Sequence, residues 1–113
     1  TQFSTSASTF TTSDKKIKRN IRSIRNPLDK LMQLKPVTYE YKDDYLKSSN
    51  QQLKTMKGFI AQDYQKVFAE DVVDNDGTLA IDSQALIPYL VAAVQELRKE
   101  NDELRKEIQK LKK

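Results

Sequence analysis

From Ile87 onward, apolar residues recur with a period that one helix cannot bury alone. Ile87, Val94, Asn101 and Ile108 stand seven residues apart, and Leu90, Leu97, Leu104 and Leu111 each follow three places later. That is the a/d seam of a coiled coil. Glu100 and Glu107 at g positions meet Arg105 and Lys112 at the following e positions of a parallel neighbour, so register and direction are both specified. A lone helix burying its stripe against its own domain is the plainer alternative. Strand number is less constrained: Asn101 at an a position with leucine at every d favours dimers, whereas Ile and Val at a also occur in trimers. Periodicity alone leaves a dimer slightly ahead. Upstream, Ser83 is placed to cap the helix, and Pro88 is expected to kink it just beyond the first turn.

A chain of 113 residues, 37% hydrophobic and 32% charged, holds one small domain plus an extended helix and no second core. Cysteine and histidine are both absent, which excludes disulfides, thiol chemistry and the usual zinc ligand sets. No metal and no cofactor is expected, and catalysis would have to use hydroxyl, amine or carboxylate. Net charge is +4, with Lys15, Lys16, Lys18, Arg19, Arg22 and Arg25 in one run, so nucleic acid has to be weighed. No stretch approaches the ~18 apolar residues of a membrane span, and the start lacks a charged leader followed by an apolar run. The chain reads as soluble, with no membrane partner.

Residues 1–12 are mostly Thr, Ser, Ala and Gln with Phe3 and Phe10 as anchors, a composition that closes no core. They read as the end of an upstream stalk or as a linker. Domain boundaries are drawn at 1–12, at 13–86 for a compact unit and at 87–113 for the coiled-coil helix. Ile17, Ile21, Ile24 and Leu28 follow helical spacing, with Ser13 as the N-cap. Asn26-Pro27 opens a second short helix through Leu34 that Pro36 stops. Val37 to Lys42 alternates as a strand, Asp43 to Lys57 reads as a protruding loop, and Gly58-Phe59-Ile60-Ala61 is placed to pair with the Val37 strand. Tyr64, Val67 and Phe68 have helical spacing. Val72-Val73 and Leu79-Ala80-Ile81 flank Asp74-Asn75-Asp76-Gly77, which reads as a hairpin turn. A calcium loop would need further ligands and a distal glutamate. Ile17, Ile21, Leu31, Tyr39, Phe59, Ile60, Phe68 and Leu86 are expected to form a core that depends on association.

Four separated blocks then carry a resemblance: Ser13-Asp14-Lys15-Lys16-Ile17-Lys18, Leu34-Lys35-Pro36-Val37-Thr38-Tyr39, Gly58-Phe59-Ile60-Ala61-Gln62, and Leu86-Ile87-Pro88-Tyr89 through Leu97. In order and spacing the chain resembles the intramolecular chaperone auto-processing domains. These stand at the C-termini of phage endosialidase tailspikes and other phage tail fibres, and a relative lies inside the myelin regulatory factor. The resemblance implies an α+β fold, a small helix-strand domain whose long C-terminal helix forms a parallel homotrimeric coiled coil. It implies a chaperone that trimerises, helps an upstream fibre segment of the same polypeptide to assemble, and then cuts itself off once. The place of action would be the host cytoplasm during virion assembly, and the virion tail if the domain is retained. By resemblance Ser13 is the catalytic nucleophile, Lys18 its partner, and the cleavage site lies between Thr12 and Ser13. The chain departs from the family pattern at Ala69, where proline is common, at Asp63, where glutamate follows the glutamine, and at Ser83, where an aromatic often precedes the last helix.

The dyad is chemically reasonable without histidine. A serine hydroxyl needs a base to take its proton, and a lysine serves when burial or neighbouring positive charge favours its neutral form. Lys15, Lys16 and Arg19 supply that charge, and amides at a helix start could hold the oxyanion. Read without the family, Ser13 is a helix cap beside a solvated basic face. Two other functions compete: a structural trimer cap with an inert serine, and a basic-region DNA-binding protein. The second is disfavoured because such proteins run the basic helix directly into the zipper.

Overall fold

The computed structural model describes residues 10–49 and 52–112. It has an α+β architecture of short helices, two small antiparallel sheets and one long C-terminal helix. The expected extension of the stalk through residues 1–9 lies outside the described residues.

Helix α1 (Pro27–Leu31) begins at Asn26 as anticipated, but Asn26 caps it in the left-handed region (φ 52°) without a side-chain hydrogen bond. Proline at the first position loses nothing there, since that N–H has no intrahelical acceptor. The helix ends at Leu31, and a turn carries the chain on to Pro36. Strand β1 (Val37–Tyr39) pairs antiparallel with β2 (Met56–Gly58), Val37 opposite Gly58 and Tyr39 opposite Met56. The pairing is the one anticipated, shifted so that Phe59 and Ile60 lead into helix α3 (Ala61–Gln65). A Cβ at Gly58 would stand 3.4 Å from the Tyr39 ring, so glycine lets that ring lie close over the strand.

The segment expected as a loop after β1 contains helix α2 (Asp43–Ser49). Asp43 and Asp44 in its first turn complement the helix dipole, and Ser48 and Ser49 each donate a hydroxyl hydrogen bond to the Tyr45 carbonyl at 3.1 and 2.7 Å. Strands β3 (Val72–Asn75) and β4 (Thr78–Ile81) form the second hairpin, with Val72 opposite Ile81. Its turn residues Asp76 and Gly77 have φ of 51° and 89°, the doubly positive conformation of a type I′ turn. Asp74 is occupied in the turn itself, where its carboxylate accepts from the Gly77 N–H at 2.7 Å. Gly77→Val should cost about 1 kcal/mol, because a β-branched residue is strained at this φ. Thermal unfolding monitored by circular dichroism should show it as a lower midpoint.

Helix α4 (Leu86–Leu111) follows a 3-10 turn at Ser83–Ala85. Ser83 therefore does not cap it: Ala85 stands at the N-cap and makes no side-chain bond. Pro88 falls within the first turn, where backbone N–H groups have no intrahelical partner, so the helix continues through it and no break is needed. Tyr64, Val67, Phe68 and Leu86 form the buried centre, with Leu31, Leu34, Phe59, Val72, Ile81 and Tyr89 packed against it. The Phe68 and Tyr89 rings meet edge-on at 4.7 Å, and α1 packs along α4. Of the residues expected in the core, Phe68 and Leu86 are buried and Leu31, Tyr39 and Phe59 half-buried, whereas Ile17, Ile21 and Ile60 are exposed in one chain. Leu97 and Leu104 are 52% and 61% exposed, as are their neighbours along the seam. No helix among the described residues is long and apolar enough to cross a membrane.

Candidate functional site

The isoleucine-spaced segment before α1 is not the helix its periodicity suggests. A single 3-10 turn, Lys15–Ile17, is capped by Asp14, whose carboxylate accepts from the Lys16 N–H at 3.0 Å. Ser13 is thereby displaced from the cap position. Lys18 is already extended (φ −113°, ψ 151°), and Asn20 adopts a positive φ of 55°, which interrupts any helix at that point. Isoleucine also loses side-chain freedom in a helix, and Ile17 and Ile21, at 60% and 63% exposure, gain no burial in one chain. Neither propensity nor packing favours a helix there.

This tight turn brings two of the anticipated residues together. The Lys18 Nζ donates to the Ser13 Oγ at 2.5 Å across five residues. Thr12 precedes the serine outside any helix or strand, and Thr12, Ser13 and Lys18 are all exposed. An ammonium can only donate to the serine oxygen; once deprotonated, the same nitrogen at the same distance can accept the hydroxyl proton. Lys15, Lys16 and Arg19 flank the pair in sequence, and Lys16 makes a 4.0 Å contact to Asp14. Both partners of that contact are exposed and it contributes little.

A second feature was not anticipated from the sequence. Tyr39, Tyr41, Tyr45, Phe59, Leu79 and Ile81 line an open cleft of about 890 Å³ between the two hairpins. The Tyr41 ring stacks with Tyr39 edge-on at 5.4 Å and with Tyr45 at 4.8 Å. Its hydroxyl is pushed above the usual tyrosine range by the hydrogen bond with Tyr39, with burial adding to it. The alternation of Val37, Tyr39 and Tyr41 pointed to a half-buried strand face; that Tyr45 would extend it required α2. None of residues 12–18 lines this cleft, so it is separate from the serine–lysine pair. The basic residues are exposed and the run is non-helical between Lys18 and Arg25; both sheets lie between it and α4 in sequence, although Arg22 and Ile24 line a groove along α4 with Ile87, Val91 and Glu96. The run lacks the continuous basic helix of a zipper protein.

Comparison with known proteins finds related chains. The model of a peptidase family described as chaperone of endosialidase matches residues 13–73, more than half of the chain, starting at Ser13 itself. The long tail fiber protein Gp37 of Salmonella phage S16 is 30% identical over 104 residues, covering 88% of this chain and 14% of that protein. Gp37 of Enterobacteria phage K3 is 36% identical over 90 residues, covering 75% of this chain and 7% of its own length. The chain thus spans 14% or less of these curated relatives.

Proposed function

Because the chain belongs to the family of endosialidase chaperones, a peptidase-type domain, we propose that it assembles a phage tail fibre or tailspike as a parallel homotrimer and then releases itself by one cleavage between Thr12 and Ser13. The observation that carries the cleavage is the contact of Ser13 with Lys18 at the residue where the family match begins. In this reading neutral Lys18 takes the Ser13 hydroxyl proton, and Oγ attacks the Thr12 carbonyl carbon. The resulting ammonium returns the proton to the Ser13 nitrogen as the peptide bond breaks. Water then hydrolyses the ester, leaving a carboxylate on Thr12 and the free hydroxyl and amine on Ser13. Intact-mass analysis of a chain with its upstream segment attached tests this. A released piece ending in Thr12 supports it, and a cut at any other bond overturns it.

The exposed seam supports the oligomer. Burying a leucine or isoleucine contributes about 1.5–3 kcal/mol, and Ile87, Leu90, Val94, Leu97, Leu104 and Ile108 are all half or more exposed in one chain. The family favours three strands over the two that Asn101 alone suggests. Sedimentation equilibrium should return three protomers, and two protomers across a wide concentration range would contradict the proposal. Asn101→Ile should raise stability by on the order of 1 kcal/mol per subunit and loosen the choice of strand number, since a buried amide trades stability for specificity. An unchanged unfolding midpoint would place Asn101 outside the seam.

A purely structural trimer cap is the second reading, favoured by the exposure of Ser13 and Lys18 in one chain. It differs in leaving the upstream segment attached. Action would fall in the host cell during assembly, with the virion tail as the destination of whatever stays joined.

A further inference from the structure

Ser13 and Lys18 stand five residues apart, a separation that regular secondary structure keeps from contact. A helix brings together residues three and four apart, whereas five residues advance about 7.5 Å along its axis and roughly 140° around it. A strand of that length sets its ends about 16 Å apart. The contact of Nζ with Oγ at 2.5 Å therefore depends on the turn between them. Two backbone bonds close that turn, from the Ile17 N–H to the Asp14 carbonyl and from the Lys18 N–H to the Lys15 carbonyl, each 3.1 Å. The chain is extended on either side, at Asp14 (φ −68°, ψ 138°) and at Lys18. Bonds of the 3-10 kind have poor geometry and hold only short pieces. Packing adds nothing, because no residue of the turn is buried. What remains is the cap, the Asp14 carboxylate accepting from the Lys16 N–H at 3.0 Å, a donor that the turn itself leaves without an acceptor.

We propose that Asp14 is a positioning residue for the cleavage: its carboxylate, by capping the Lys15–Ile17 turn, keeps the Lys18 amine on the Ser13 hydroxyl. This rests on the serine–lysine reaction proposed above and adds the group that sets its geometry. Asp14 acts through the backbone of the turn, since among the described residues its side chain accepts a hydrogen bond from the Lys16 N–H alone and forms its one ion pair with Lys16 rather than with Lys18. The acceptor oxygen is what the role requires, and the negative charge is not. A lost cap shifts a local equilibrium by about tenfold, and reacting groups displaced by on the order of 1 Å lose rate at least as steeply. The Asp14 side chain is 56% exposed, so its replacement opens no cavity.

The test compares cleavage rates, followed by intact mass in the full chain with its upstream segment attached, for the unaltered protein and for Ser13→Ala, Asp14→Asn and Asp14→Ala. Asparagine offers the same acceptor oxygen without the charge and is an equally good cap, so Asp14→Asn should cleave within about twofold of the unaltered rate. Asp14→Ala should cleave about tenfold more slowly or worse, with sedimentation and the thermal unfolding midpoint unchanged. An undiminished rate in Asp14→Ala overturns the positioning role and leaves the dyad standing. So does an Asp14→Asn protein as slow as Asp14→Ala, which would make the charge rather than the cap the active element. A loss in Asp14→Ala that tracks a lowered midpoint or a smaller oligomer also overturns it, because the residue would then act through the fold as a whole. Cleavage that is absent from the unaltered protein, or that persists in Ser13→Ala, removes the dyad and the positioning role together.

Discussion

Leu97→Asp is expected to dissolve the assembly and take most of the fold with it. The change should cost on the order of 3 kcal/mol or more per subunit, from the lost apolar burial and from a carboxylate forced into a desolvated layer. Trimer symmetry would put three such charges side by side. The compact unit has little with which to absorb the loss: its buried centre is Tyr64, Val67, Phe68 and Leu86, against a total stability of about 5–15 kcal/mol for an ordinary domain. Sedimentation should show monomers, and the cooperative thermal transition should broaden or disappear. A folded monomer with α4 fully helical would mean that the small core suffices alone and that the seam is not what holds the domain together.

Ser13→Ala is expected to abolish cleavage, with the assembly intact. Ser13 is exposed, so losing its hydroxyl removes the nucleophile without opening a cavity. Lys18→Arg should also stop the cut, because arginine keeps the charge and donates to Oγ but does not give up a proton to become a base. Each change should lower the rate by about three orders of magnitude or more, the scale seen when one member of a nucleophile–base unit is removed. Cleavage that persists in the Ser13→Ala protein would dispose of the dyad, and cleavage retained by Lys18→Arg would remove the lysine as base.

The features legible in the sequence were those whose signal is local. The long C-terminal helix followed from a sustained helical period, and the β3–β4 hairpin from turn residues that tolerate positive φ. β1 followed from its alternation. The segment from Ile17 to Leu28 carried an equally regular period and did not form a helix, because Asp14 rather than Ser13 caps the turn and Asn20 breaks it. Ile17 and Ile21 gain no burial in one chain, and only Ile24 is half-buried, beside α4. Helix α2 was hidden because its stability owes little to apolar spacing, drawing instead on acidic residues at its start and serine hydroxyls at its end. The nearness of Ser13 and Lys18 was legible only through family resemblance, since a serine before lysines ordinarily reads as a cap over a solvated face.

In one chain the Ser13–Lys18 pair is open to water, while the seam and the isoleucines near the pair are uncovered. Self-cleavage is therefore expected to depend on association, which would desolvate the lysine and complete the site. The most direct measurement is the cleavage rate of a chain carrying its upstream segment, followed by intact mass across a dilution series whose oligomeric state is read in parallel by sedimentation. The expected result is a cut between Thr12 and Ser13 whose rate falls with the trimer fraction and vanishes in Leu97→Asp. Cleavage at an undiminished first-order rate in dilute monomers would contradict it.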